Sequence, residues 1–183
     1  YEQLSVAVNL SAIQFRQTNL LEEILNTLEA TGIGAHQLEL EITESTIMDD
    51  IDTAASTMRA LHCSGIRISI DDFGTGYSSL SHLKRFPIKT VKIDRSFIRD
   101  ITTDSDDAAI VGAIIGMAHN MGLKVIAEGV ETQQQLDFLY SLQCDEVQGF
   151  LFSPPVPHQE ACALLDLSVE AQHIPVAGKC SAS

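Results

Sequence analysis

The chain has 183 residues, of which 11 are basic, 25 are acidic and 45% are hydrophobic, so its formal net charge is −14. This composition predicts one globular domain and excludes a disordered chain, and the negative charge disfavours binding to a nucleic-acid polymer or an anionic membrane surface. The longest apolar stretch, residues 108–118, is too short to span a bilayer.

Short β-branched runs alternate with helical patterns along the whole chain, which is typical of βα units around a parallel sheet. Several of these runs are nearly all apolar, as expected of strands buried on both faces. Helix signals lie between them, with starts at Asn19, Asp50, Asp106 and Thr132 and stops at Gly32, Gly65 and Gly122. A short helix is expected at 79–86 and a weak one after Pro157. The predicted strands are residues 4–9, 38–43, 66–70, 90–93, 124–127 and 146–149.

Six βα units leave two α/β arrangements open. A complete eight-unit barrel typically needs about 250 residues, so the chain would form an incomplete barrel. The alternative is an open doubly wound sheet, which tolerates five or six strands. In either case we expect one domain over residues 1–167 and a flexible C-terminal tail over 168–183.

Polar residues lie at the carboxyl end of every predicted strand, the edge where barrels and open α/β sheets build their sites. Carboxylates gathered there repel one another unless their pKa values rise or divalent cations bind. Oxygen ligands suit Mg²⁺ or Mn²⁺ better than zinc, so the pattern predicts a site for hard cations. The polar residues are Asn9, Glu41, Glu44, Asp71, Asp72, Lys92, Asp94, Glu128, Glu131 and Gln148.

The adjacent pair Asp71 and Asp72 suits a site with two ions. One of these carboxylates can bridge ions about 3.5–4 Å apart, the geometry that clamps the attacking and leaving oxygens in phosphoester hydrolysis. Lys92 in the same place can orient water or neutralise phosphate charge.

Each of these residues also has an ordinary structural interpretation. Asn9 can cap a turn, Glu44 can cap the next helix or form a salt bridge with it, and Asp94 can pair with Arg95 at the surface. Residues 71–76 can be a turn or a damaged dinucleotide fingerprint, although the third glycine of that fingerprint is replaced by Ser79.

Taken together, six runs resemble the bacterial EAL-domain cyclic di-GMP phosphodiesterases. The resemblance covers residues from about 4 to 157 in the family's order and spacing. The runs are VNLS at 8–11, EITE at 41–44, DDFGTGYSSL at 71–80, KIDRSF at 92–97, AEGVE at 127–131 and QGF at 148–150.

The resemblance implies a modified TIM (βα) barrel that hydrolyses cyclic di-GMP to linear pGpG with two Mg²⁺ or Mn²⁺ ions. It implies Asn9, Glu41 and Asp71 as ligands of one ion. It implies that the second ion is surrounded by Asp72 and Glu128, with Asp71 as a bridge between the two ions.

The resemblance also assigns the remaining roles. It implies Lys92 as the lysine that orients water and Glu128 as a further catalytic candidate. Glu131 and Gln148 would support the second ion, and Glu44 would hold the loop at 72–79. The loop and substrate residues implied are Phe73, Gly74, Thr75, Gly76 and Tyr77, of which Phe73 or Tyr77 would shape the walls of a substrate groove.

One feature of the family is absent, because the Glu-Ala-Leu tripeptide that names it does not occur in this sequence. The chain also begins with Tyr1 and lacks an initiator Met. We therefore expect the family's first two strands, and the metal-binding glutamate of that tripeptide, to lie upstream of Tyr1. Without that ligand the first metal site should be weaker in this fragment than in the longer gene product.

The expected partners are cyclic di-GMP, a second copy in a homodimer, and an upstream sensor or GGDEF-type domain. Four cysteines without zinc-like or disulfide-rich spacing favour reduced thiols and a cytoplasmic location, with any membrane anchor outside this sequence. Two rival functions remain open: a receptor that binds cyclic di-GMP without hydrolysing it, and a dimerisation module.

Overall fold

The computed structural model describes residues 4–76 and 80–172, and within them six strands form one sheet. The described residues also contain nine helices and a 3₁₀ turn at Ala35–Gln37. The strands are β1 (Val6–Asn9), β2 (Leu38–Thr43), β3 (Arg67–Phe73), β4 (Thr90–Ile93), β5 (Lys124–Glu128) and β6 (Glu146–Gln148). The helices are α1 (Ala12–Phe15), α2 (Leu20–Thr31), α3 (Glu44–Met48), α4 (Ile51–Cys63), α5 (Leu80–Leu83), α6 (Arg95–Arg99), α7 (Ser105–Asn120), α8 (Gln133–Ser141) and α9 (His158–Gln172).

The strands are all parallel and lie in the sheet in chain order, from β1 to β6. A doubly wound sheet reverses its strand order at a switch point, whereas a βα barrel adds each strand beside the previous one. The sequential order therefore confirms the incomplete barrel and excludes the doubly wound alternative. Among the described residues, β1 pairs only with β2 and β6 only with β5.

The sheet has one apolar and one polar face. In β2 the residues alternate as Leu-Glu-Leu-Glu-Ile-Thr, and β4 reads Thr-Val-Lys-Ile. The apolar set, which includes Ile42, Ile70 and Val91, belongs to one buried cluster with residues of α4 and α7. Burial on both faces is confirmed for β4, in which all four residues are buried, although its second face carries the polar residues Thr90 and Lys92.

Most helix termini follow the local signals in the sequence. Thr132 caps α8 in a reciprocal capping box, and Gly32 ends α2 in the left-handed conformation with φ of 73°. The cap of α7 is Asp104, two residues before the predicted start. Asn19 stands at the cap position of α2 without capping it, since its side chain donates to Glu23 instead.

Strand β3 extends beyond its predicted end at residue 70 and includes Asp71, Asp72 and Phe73. Its register with β4 shifts between Ile70 and Phe73, and Asp72 has a φ of 54°. An extra residue in a strand re-aims the following side chains. Consequently Asp71 and Asp72 lie within an irregular strand and not in a turn that follows it.

The chain separates into two compact units, residues 1–151 and 152–183. In the described part, the second unit contains α9, which runs past the predicted domain boundary at 167 to Gln172; residues 173–183 lie outside the described residues. The boundary stays a prediction. None of the described helices is long and apolar enough to cross a bilayer, and the described cysteines, Cys63, Cys144 and Cys162, are free thiols.

Gly149 offers a test of packing at the end of β6. A Cβ there would lie 2.1 Å from the carbonyl oxygen and 2.3 Å from the amide nitrogen of Val130, between two backbone hydrogen bonds that join these segments. We expect Gly149→Ala to lower the free energy of unfolding by about 3 kcal/mol or more, because the backbone must move. The measurement is equilibrium denaturation in urea.

Gly116→Ala is the matched control. A Cβ at Gly116, in the interior of α7, meets nothing within 4 Å, so this change should raise the free energy of unfolding by about 0.5–1 kcal/mol. Equal stabilities of the Gly149→Ala variant and the unmodified chain would contradict the packing argument.

Candidate active site

The candidate site is built around the ammonium group of Lys92 on the polar face of β4. Its Nζ lies 2.6 Å from Oε1 of Glu41, 2.5 Å from Oε1 of Glu128 and 3.7 Å from Oδ1 of Asp71. Lys92 is 3% exposed. The three carboxylates come from β2, β3 and β5, so the parallel sheet brings together residues that are far apart in the chain.

Charge pairing controls the protonation of this cluster. Burial would lower the pKa of Lys92, but its hydrogen bonds to Glu128 and Glu41 outweigh burial and raise that pKa. Lys92 is therefore a cation at neutral pH. Burial raises the pKa of Glu128, and the opposing contact with Lys92 does not fully cancel the effect.

A second acidic pair, Asp72 and Asp94, lies beside this cluster. The Asp94 carboxylate caps α6 by accepting a hydrogen bond of 2.9 Å from the Ser96 amide, and it lies close enough to Asp72 for each carboxyl group to affect the pKa of the other. Burial, then the charges of Asp71 and Asp94, raise the pKa of Asp72. The bonds from Ser96 outweigh burial and lower the pKa of Asp94, so Asp72 is the member of the pair that takes up a proton first as the pH falls.

The strand register places two further polar residues on the same face. Asn9 pairs with Glu41, and Gln148 pairs with Glu128. Both residues are exposed, and they lie on the outer strands β1 and β6. Glu131 follows β5 and lines a cleft with Asp94 and the arginines of α6.

Glu44 connects α3 to the segment that follows β3. Its Oε2 accepts hydrogen bonds from the amides of Gly74 (3.0 Å) and Gly76 (3.3 Å), while the Thr75 hydroxyl donates to the Asp72 carbonyl. A side chain at residue 76 would collide with the Glu44 carboxylate. The first residue of α3 thus fixes the backbone just beyond Asp72.

Of the two aromatic residues predicted to shape the groove walls, the structure describes one. Phe73 is 6% exposed and belongs to the apolar core, which favours a packing role for its ring. Its ring lies on the core side because the register shift in β3 changes which side chains face the helices. Tyr77 lies outside the described residues.

Asp94 is the site residue that sequence reasoning undervalued, because a surface pair with Arg95 explained it equally well. Its position at the end of β4, on the same edge as the other acids, was the available signal. Its contact with Asp72 depends on the irregular end of β3, which local sequence patterns do not reveal.

The chemistry of the cluster fits a hard divalent cation. The carboxylates outnumber the single ammonium group, and all the candidate ligands donate oxygen. Within residues 4–76 and 80–172, no group of three or more acidic, His or Cys side chains is already arranged to hold a metal ion. The Lys92 ammonium group stands where the carboxylates converge, so a cation would have to share or replace its contacts.

A sequentially ordered parallel sheet with an acidic site at its carboxyl edge defines a domain of the βα-barrel class. The particular family follows from comparison with known families: residues 1–155 match the EAL domain, and the chain belongs to that family.

The chain is similar to two proteins of Pseudomonas aeruginosa. It is 48% identical over 159 residues to the bifunctional diguanylate cyclase/cyclic di-GMP phosphodiesterase MucR, covering 87% of this chain and 23% of MucR. It is 49% identical over 157 residues to the cyclic di-GMP phosphodiesterase NbdA, covering 86% of this chain and 20% of NbdA. The chain thus spans about a fifth of the length of these relatives.

Solved structures show the same fold. The PaMucR phosphodiesterase in complex with c-di-GMP superposes with a TM-score of 0.84 at 48% identity, over 86% of this chain and 64% of that one. A manganese and cyclic di-GMP complex of Klebsiella pneumoniae BlrP1 superposes with a TM-score of 0.76 at 34% identity, over 82% of this chain and 39% of that one.

The raised pKa of Asp72 gives a prediction about stability and pH. A raised pKa means that the folded state holds this proton more tightly than the unfolded chain, whose value is near 3.8. The associated stability is fully present below that pH and is lost as the pH rises through the folded value. In EDTA, the melting temperature of Asp72→Asn relative to the unmodified chain should therefore increase with pH across this range.

Asn is suited to this exchange because it tolerates the left-handed φ of residue 72. Glu29→Gln, at an exposed position of α2, is the control for the replacement of a carboxylate by an amide. If the melting temperature of Asp72→Asn relative to the unmodified chain did not change with pH, the raised pKa of Asp72 would be ruled out.

Proposed function

We propose that the chain hydrolyses one phosphodiester of cyclic di-GMP to give linear pGpG, with the aid of two Mg²⁺ or Mn²⁺ ions. The observation that carries this proposal is the convergence of Glu41, Asp71 and Glu128 on Lys92 at the carboxyl edge of the sheet. The names of MucR and NbdA and the manganese complex of BlrP1 support the substrate and the type of cation.

The positions of the acidic residues suggest how the ions would be shared. Asn9, Glu41 and Asp71 would hold one ion, and Asp71, Asp72 and Glu128 the other, with Glu131 and Gln148 in support. When bound, such ions lower the pKa of water and stabilise negative charge on the phosphate. The candidate ligands on β1, β2, β3 and β5 bind a metal through oxygen atoms, which these ions prefer.

The roles of Lys92 and Glu128 follow from their protonation states. Because its pKa is raised, Lys92 is suited to hold the attacking water or a phosphate oxygen as a hydrogen-bond donor and is unsuited to accept a proton. Glu128 is the better proton acceptor, since burial raises its pKa toward neutrality. Water adds its oxygen to phosphorus, the P–O bond to one ribose breaks, and the leaving ribose oxygen takes up a proton.

Glu44 would act on the reaction indirectly. Its bonds to the amides of Gly74 and Gly76 hold the segment after Asp72, so it is a positioning residue. The same segment would link the metal site to a homodimer interface, and a sensor or GGDEF-type domain would regulate it in a larger protein. MucR, a relative with both activities in its name, supports such a partner domain.

Asp71→Asn tests the shared ligand. In the protein that contains this domain, we expect the rate of pGpG formation to fall by about 10³-fold, because one anionic ligand of both ions is lost. The melting temperature should change little, since the amide keeps the size of the side chain. Product is measured by anion-exchange chromatography.

Asp137→Asn, at an exposed position of α8, is the control and should leave the rate unchanged. Undiminished hydrolysis by Asp71→Asn would refute the proposed ligand set.

Metal removal separates an enzyme from a receptor. EDTA should abolish pGpG formation, and Mn²⁺ or Mg²⁺ in excess should restore it. Binding of cyclic di-GMP with protection of residues 72–79 from hydrogen exchange, but without product at any metal concentration, would instead identify a receptor. A protein with neither binding nor turnover would be a dimerisation module.

A further inference from the structure

A second polar cavity opens at the amino ends of the strands, at the opposite edge of the sheet from Lys92. Its volume is about 420 Å³, within the range of about 300–1,000 Å³ that is usual for small-molecule sites. The side chains that matter for its chemistry are Glu39, Arg67, Lys89, Thr90, Lys124 and Glu146.

The cavity concentrates positive charge in an acidic protein. Three of the 11 basic residues of the chain line it. Lys124 pairs with Glu146 at 3.2 Å, but Nε of Arg67 is 3.9 Å from Glu39, which is too far for a hydrogen bond. Lys89 forms no ion pair with any residue in the described ranges. Two of the three cations therefore retain donors for a ligand.

Two buried polar atoms of β3 lack a hydrogen-bond partner in the described ranges, and one of them belongs to Arg67, which lines the cavity. Nε of Arg67 is buried and has no hydrogen-bond partner within the part of the chain that the structure describes. The hydroxyl of Ser69, two residues along the same face of β3, is likewise buried and unpartnered there. Buried donors without partners are rare in native proteins and usually mark a bound water or ion.

We propose that this cavity binds a phosphate group, either inorganic phosphate or the terminal phosphate of a mononucleotide. The planar guanidinium of Arg67 matches the spacing of phosphate oxygens, and Lys89 and Lys124 contribute further positive charge. Glu39 and Glu146 offset part of that charge and favour a ligand that makes directed bonds to Arg67. The site is independent of the proposed hydrolytic function, since it uses none of the residues around Lys92.

The test is a titration of the folded protein with inorganic phosphate at constant ionic strength, with chloride as the balancing anion. EDTA is present throughout, so that no cation at the opposite edge recruits phosphate. At about ten times the dissociation constant, the melting temperature should rise by about 3 °C. Arg67→Gln should abolish this rise, while Arg59→Gln, at an exposed position of α4, should retain it.

Lys89→Gln guards against a failure of Arg67→Gln to fold. Lys89 is exposed, so its replacement should preserve the fold and weaken phosphate binding several-fold in calorimetry. Adenosine 5′-monophosphate distinguishes the two candidate ligands. Tighter binding of this nucleotide than of inorganic phosphate indicates a mononucleotide as the ligand, and equal binding indicates inorganic phosphate alone. No phosphate-dependent rise in the unmodified protein, or the same rise in all variants, would overturn the proposal and leave water as the partner of Arg67.

Discussion

The neutralisation of buried carboxylates by Lys92 is the interaction on which the site depends. Taking several charges of one sign out of water is costly unless an opposite charge offsets their repulsion. The ammonium group at 2.6 Å from Glu41 and 2.5 Å from Glu128 provides that charge. It thereby lets β2, β3 and β5 present their acids to one point, where a divalent cation would find an excess of negative charge.

The sheet that carries Lys92 has two chemically different faces. Ile42, Ile70 and Val91 belong to the apolar core beneath the helices, while the alternate residues leave a polar face. This polar face is acidic around Lys92 at the carboxyl edge and carries Arg67 and Lys124 at the amino edge. The same backbone periodicity therefore buries the apolar side chains and gathers charged side chains at both edges of the sheet.

Backbone irregularity gives the carboxyl edge its second acidic pair. The register shift in β3 and the positive φ of Asp72 let adjacent residues serve different neighbours: Asp71 faces Lys92, whereas Asp72 lies near Asp94. Glu44 then holds the following amides in place.

The sequence by itself determined the six βα units, the family, and the candidate acids, because strand periodicity and strand-end chemistry are local properties. Only the tertiary structure decided that Lys92 lies at the centre of the acids, that Asp94 contacts Asp72 and that Phe73 faces the core. Those outcomes depend on strand register and on a bulge, which arise from contacts between segments that are distant in the chain.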